Sequence, residues 1–169
     1  MKKICYSVQA IGQDSHRFCP EGEEKPLVLG GLKISGYPGL MGNSDADVLL
    51  HSLTNAISGI TCRPVLGAQA DKLCLDQGIT DSKVYLDLAL EDLYKAGYKL
   101  VHISFSVQAK RPRLLERIPE IRRSIARLTR LSDQQVMLTA TSGEGLTAFG
   151  RGEGIEAFCV ISAVPMTEK

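Results

Sequence analysis

The sequence contains three histidines, and two of them stand where a metal site would use them. Asp14-Ser15-His16 sets a carboxylate and an imidazole two residues apart, so in an extended segment both project to the same side. His51 falls on the first strongly helical segment. Two imidazoles and one carboxylate form the ligand set of an open zinc site, with a fourth position left for substrate or water. Nitrogen ligands favour a borderline ion such as zinc over magnesium. The competing reading is that a D-x-H tripeptide arises by chance and a helix histidine serves only packing. His102 alternates onto the polar side of a strand and reads as a surface residue. Asp45 and Asp47 either orient His51 or simply favour the positive end of the helix dipole.

Other segments suit phosphate. Thr141-Ser142-Gly143-Glu144-Gly145 directly follows a strand, and hydroxyls with free backbone N–H groups at such an end can cradle phosphate oxygens. Glu144 in that loop can hold a magnesium ion bridging the same oxygens. Lys110-Arg111-Pro112-Arg113 is the densest basic cluster and fits a diphosphate or nucleotide contact. A turn and a solvated loop are the plainer alternatives. Gly150-Arg151-Gly152-Glu153-Gly154 leads into the final strand.

These residues need elements to position them. Residues 4–10 read as a short strand, followed by a loop from Gly12 to about Lys25. Leu27–Ile34, interrupted by Gly30-Gly31, predicts a tight hairpin or a bulged strand. Ser44 and Asp47 resemble a capping box for a helix carrying Leu49, Leu53, Ala56, Ile57 and Ile60 at helical spacing. From 61 to 80 the pattern weakens, which predicts a long loop with at most a helical turn. A second helix opens near Asp81-Ser82 and stops at Gly97. Val101–Val107 alternates as a half-buried strand, and a third helix starts at Pro119. Val136–Thr141 and Ile155–Val164 are strands, the last apolar on both faces. Such a strand must be covered twice, and a partner subunit is a natural second cover. The class is α+β: a single domain over 1–169, with about four strands in one mixed sheet and helices on one face.

Composition narrows the partners. At 169 residues the chain suits one domain with a genuine core. The 20 Lys and Arg nearly cancel the 19 Asp and Glu, and aromatics are only 5%, which disfavours a nucleic-acid binder or a membrane-surface protein. The five cysteines are scattered without a C-x-x-C pair, as expected of free thiols in the cytoplasm. No apolar run reaches membrane-spanning length.

Taken in order, four segments resemble the 2-C-methyl-D-erythritol 2,4-cyclodiphosphate synthase family of the non-mevalonate isoprenoid pathway. They are Gly12-x-Asp14-x-His16; Ser44-Asp45-x-Asp47-Val48-x-x-His51; Arg111-Pro112-Arg113-Leu114 ending at Ile118-Pro119; and Ala140-Thr141-x-x-Glu144-x-Leu146 running into Gly150–Ile155. The resemblance implies a homotrimer with active sites between subunits. It implies zinc on Asp14, His16 and His51, and magnesium or manganese at Glu144 through substrate phosphates. Asn43 and Ser142 take the catalytic positions. Substrate contacts fall on Ser44, Asp76, the stretch Ala109, Lys110, Arg111, Pro112, Arg113, Leu114 and Leu115, and on Thr141 and Gly143. Arg151 matches an arginine facing the threefold channel, where family members can hold an isoprenoid diphosphate. The implied reaction closes 4-diphosphocytidyl-2-C-methyl-D-erythritol 2-phosphate into a cyclic diphosphate and releases CMP.

The chain departs from that family's pattern in places. Asn43 stands where histidine is usual, Ser142 and Gly143 replace threonines, and Ala148 replaces an aromatic. Gly67-Ala68-Gln69-Ala70 and Leu75-Asp76-Gln77-Gly78 rewrite the segment after the first helix. Two other readings follow from these changes: a non-catalytic trimer that binds isoprenoid diphosphate, or a zinc phosphoesterase acting on a related nucleotide diphosphate.

Overall fold

The computed structural model describes residues 6–166. Along it run β1 (Val8–Arg17), the hairpin strands β2 (Pro26–Leu29) and β3 (Leu32–Pro38), and helices α1 (Val48–Thr61), α2 (Ala68–Gln77) and α3 (Ser82–Lys95). Then come β4 (Tyr98–Gln108), α4 (Ile118–Thr129), β5 (Val136–Thr141), the short α5 (Ala148–Arg151) and β6 (Gly154–Pro165). Four strands make one sheet in the order β1-β6-β4-β5. β6 is antiparallel to both neighbours, whereas β4 and β5 are parallel. A parallel pair cannot be joined by a tight turn, and α4 makes the crossover. The expected α+β class with a four-stranded mixed sheet is what forms.

Side-chain alternation decides which face the helices cover. In β6, Ile155, Ala157, Cys159, Ile161 and Ala163 are buried, while Phe158 and Val160 between them stay 38% and 43% exposed. The buried row packs with Leu49, Leu53, Ala56 and Ile57 of α1 and with Leu86 and Leu93 of α3 in one core. Each buried Leu or Ile among them contributes roughly 1.5–3 kcal/mol by leaving water, the alanines less. Ile11 pairs with Val160 on the other face and is exposed as well. The last strand is therefore apolar on both faces, with only one covered inside this chain.

Three expectations need correction. The first strand does not give way to a loop at Gly12; β1 continues to Arg17, because β6 pairs with it along its whole length, Asp14 opposite Ala157 and His16 opposite Ile155. Residues 4 and 5 of the expected strand lie outside the described residues. The segment 61–80 is not a long loop, since it holds α2, where Ala70 and Cys74 are the buried positions among the described residues and leave little periodic pattern to read. Finally, Ser44 is not the cap of α1. The chain turns at Ala46 (φ 55°), and Asp47 caps the helix by accepting from the N–H groups of Leu49 and Leu50, both at 3.1 Å.

Asp47 also ties the expected hairpin to α1. Its two carboxylate oxygens accept from Gly30 N–H at 2.9 Å and Gly31 N–H at 2.6 Å. Those glycines form the two-residue turn between β2 and β3 with φ of 62° and 78°, a left-handed pair that such turns require. Complete burial pushes the Asp47 carboxyl up to about 6, against the pull of the Gly31, Gly30 and Leu50 N–H groups.

Candidate active site

β1 and α1 bring the metal-ligand candidates together. Strand alternation turns Ala10, Gly12, Asp14 and His16 toward the helix layer, and Gln13, Ser15 and Arg17 away from it. Gly12 lets the two elements close on each other, and the Asn55 side chain donates to the Gln13 carbonyl at 3.0 Å. One helical turn from that contact, α1 presents the imidazole of His51.

Asp14 Oδ2 lies 3.0 Å from His51 Nδ1 and 3.1 Å from His16 Nε2. One ligand atom from each of the three residues falls within 4.8 Å of the others. Ligands about 2 Å from a tetrahedral ion stand roughly 3.3 Å apart, so the donor set and its spacing fit a divalent metal. Partial burial raises the Asp14 carboxyl, but hydrogen bonds from His16 and His51 outweigh it and hold the group well below its ordinary range. His16 moves the opposite way, raised chiefly by its bond to Asp14. Asp14 therefore stands ionised between the two imidazoles, a carboxylate available as a ligand.

The three residues sit in an open cleft of about 330 Å³ whose walls include Asn43, Ser44, Asp71, Cys74 and Tyr85. Of these, sequence reading placed Asn43 and Ser44 here and missed the last three. Cys74 Sγ donates to the Asn43 carbonyl at 3.2 Å. Asp76 is exposed on α2 and lines none of this wall. Lys25 borders the adjoining cleft, which shares Gly42, Asn43 and Ser44, and its ammonium donates to the Gly42 carbonyl at 2.9 Å. Behind the site, His51 Nε2 is 2.8 Å from the Ser82 hydroxyl, and that hydroxyl donates to Asp45. In the sequence Ser82 stands out only as part of a helix start.

A second groove, of about 770 Å³, gathers Ala109, Lys110, Pro112, Arg113, Leu114 and Leu115 with Thr141 and Ser142. It shares no lining residue with the metal cleft. Arg111 turns away and stacks its guanidinium 4.9 Å over the Phe18 ring. Ser142 donates to Glu144 at 2.8 Å, and Thr141 Oγ1 accepts from the Gly143 N–H at 3.2 Å. Gly143 has φ 71°, a left-handed conformation that favours glycine. Arg151 belongs to neither cleft and pairs with Glu153 at 2.9 Å. Within one chain, then, the metal candidates and the basic groove are separate.

Comparison with known proteins places the chain in a family. A protein of Chlamydia muridarum named 2-C-methyl-D-erythritol 2,4-cyclodiphosphate synthase is 46% identical over 154 residues, covering 91% of this chain and 86% of its own. The structure of bifunctional IspDF from Campylobacter jejuni superposes with a TM-score of 0.86 at 29% identity, over 96% of this chain; the chain spans 43% of that longer protein. IspF of Plasmodium falciparum, solved as a CDP complex, gives a TM-score of 0.82 at 25% identity, over 95% of this chain and 97% of that one. The model of the YgbB family matches residues 8–164, from the first residue of β1 almost to the end of β6, and the chain belongs to that family.

Proposed function

We propose that this chain converts 4-diphosphocytidyl-2-C-methyl-D-erythritol 2-phosphate to 2-C-methyl-D-erythritol 2,4-cyclodiphosphate and CMP. The observation that carries the reading is the convergence of Asp14, His16 and His51 in a cleft, in a chain 46% identical to a protein named for this reaction. An oxygen of the substrate's 2-phosphate forms a bond to the β-phosphorus, and the bond from that phosphorus to the CMP oxygen breaks, CMP leaving with the electron pair. The nucleophile is already an anion at neutral pH, so no protein base is needed. Positioning is the main task, and an intramolecular attack gains greatly from a held geometry.

Asp14, His16 and His51 hold zinc, and Glu144 holds magnesium or manganese through the substrate's phosphates. When bound, these ions supply positive charge to oxygens that would otherwise repel the attacking anion. Asn43 and Ser44 stand beside the zinc ligands to contact the phosphate end. Ala109–Leu115, centred on Arg113, receives the cytidine, while Thr141, Ser142 and Gly143 cradle the diphosphate. Asp76, exposed on α2, is a further substrate contact.

The separation of the two clefts and the uncovered Ile11, Phe158 and Val160 support a homotrimer, with each active site completed by a neighbour. Arg151 faces the channel of that trimer, where an isoprenoid diphosphate binds. The protein works in the cytoplasm; no helix among the described residues is long and apolar enough to cross a membrane, and Cys19, Cys62, Cys74 and Cys159 are free thiols. Incubation of the metal-analysed protein with the diphosphocytidyl substrate tests the reading. CMP together with a cyclic diphosphate, identified by mass, is expected. An open-chain product would mean hydrolysis, and zinc without turnover would mean binding alone.

A further inference from the structure

We propose that Ser82 and Asp45 act as positioning residues that keep the proton of His51 on Nε2 and so present its bare Nδ1 to the metal. This rests on the metal reading of the cleft and adds a role for two residues outside it.

The argument is a count of protons. A serine hydroxyl has one hydrogen to give. In the structure Ser82 gives it to Asp45 Oδ1, and the same carboxylate accepts from the Ser82 N–H at 3.2 Å through Oδ2. Toward His51 Nε2, 2.8 Å away, the Ser82 oxygen therefore offers only lone pairs. Nε2 must be the donor, and a neutral imidazole carrying its hydrogen there has none on Nδ1. Nδ1, 3.0 Å from Asp14 Oδ2, is then the nitrogen whose lone pair a metal can take.

The relay is held from several sides. Ser82 is fully buried and His51 nearly so. The Asp45 N–H donates to the Thr80 carbonyl at 2.8 Å, and Asp45 Oδ1 also accepts from the Asp47 N–H at 3.3 Å. Ser44 Oγ is the other hydroxyl near Nε2, but at 3.4 Å it is the longer contact, and it already accepts from the Ala46 N–H at 3.1 Å. A metal-bound histidine usually has its second nitrogen fixed by such a partner, and loss of that partner weakens metal binding about 10–100-fold.

Two measurements on the full chain decide the matter. With three histidines, ¹⁵N–¹H long-range correlation spectra resolve each ring. In the zinc-loaded protein His51 is expected to carry its proton on Nε2; a proton on Nδ1 overturns the proposal. Competition for zinc against a chromophoric chelator, with zinc alone as the probe, is expected to show Ser82→Ala binding 10–100-fold more weakly than the parent. Unchanged affinity in a folded Ser82→Ala variant also overturns it. If that variant does not fold, the spectrum of the parent protein decides alone. A parent that takes up no zinc sinks the metal reading itself, a failure distinct from either result.

Discussion

Gly12 lies so close to Ser52 that a β-carbon on the strand residue would stand 2.1 Å from the helix carbonyl oxygen and 2.3 Å from Ala56 N. Both atoms belong to backbone, so neither can swing aside. Gly12→Ala should therefore push β1 off α1 and spread Asp14 and His16 from His51. Overpacking of this kind costs about 1–3 kcal/mol or somewhat more. A lowered urea midpoint together with reduced zinc content is the expected outcome, measured by denaturation and metal analysis.

His51→Ala removes one of three ligands while leaving the α1 core side chains in place. The expected protein is folded, low in zinc and inactive. Metal analysis beside circular dichroism checks it, and a zinc-replete, active variant would remove the metal assignment.

Asp47→Ala should be among the more damaging single changes outside the active site. It strips acceptors from the N–H groups of Gly30, Gly31, Leu49 and Leu50 at once. Orphaned buried donors cost about 1–3 kcal/mol each, and a total loss of 3 kcal/mol or more is expected from equilibrium unfolding.

Asn43 donates hydrogen bonds but cannot carry charge. Asn43→His adds a group able to face a phosphate oxygen with a proton, beside an adjoining cleft whose Lys25 ammonium is occupied at Gly42. Turnover at or above the parent level is expected in the CMP-release assay. A fall of tenfold or more would show that Asn43 performs a task of its own.

Legibility in the sequence followed the strength of local periodicity. The alternation of β4 and the helical spacing of Leu49, Leu53 and Ile57 are plain, because each side of those elements meets a different medium, whereas β6 is legible only as a run apolar on both faces. Asp14-x-His16 could be paired with His51 as ligand types, yet the strand that carries it was invisible beyond residue 10. Its inward row there is Gly12, Asp14 and His16, small or polar residues that serve close approach and chemistry rather than the core. α2 was missed for a related reason: most of its surface is wet, so no apolar stripe announces it. The sequence leaves Asp45 between two roles, since its link to His51 passes through Ser82, thirty-seven residues on, and only folding makes that contact.

The absence of any residue common to the metal cleft and the basic groove bears on how damage in one gene copy is masked by another. In the proposed trimer, a chain disabled at His51 still offers an intact groove to its neighbour, and a chain disabled at Arg113 still offers an intact metal cleft. Random mixing of the two dead chains would rebuild roughly a quarter of the sites, because each site then needs one sound half from each kind of subunit. Two loss-of-function alleles in the same cell would complement each other, and mixed alone, neither would show why.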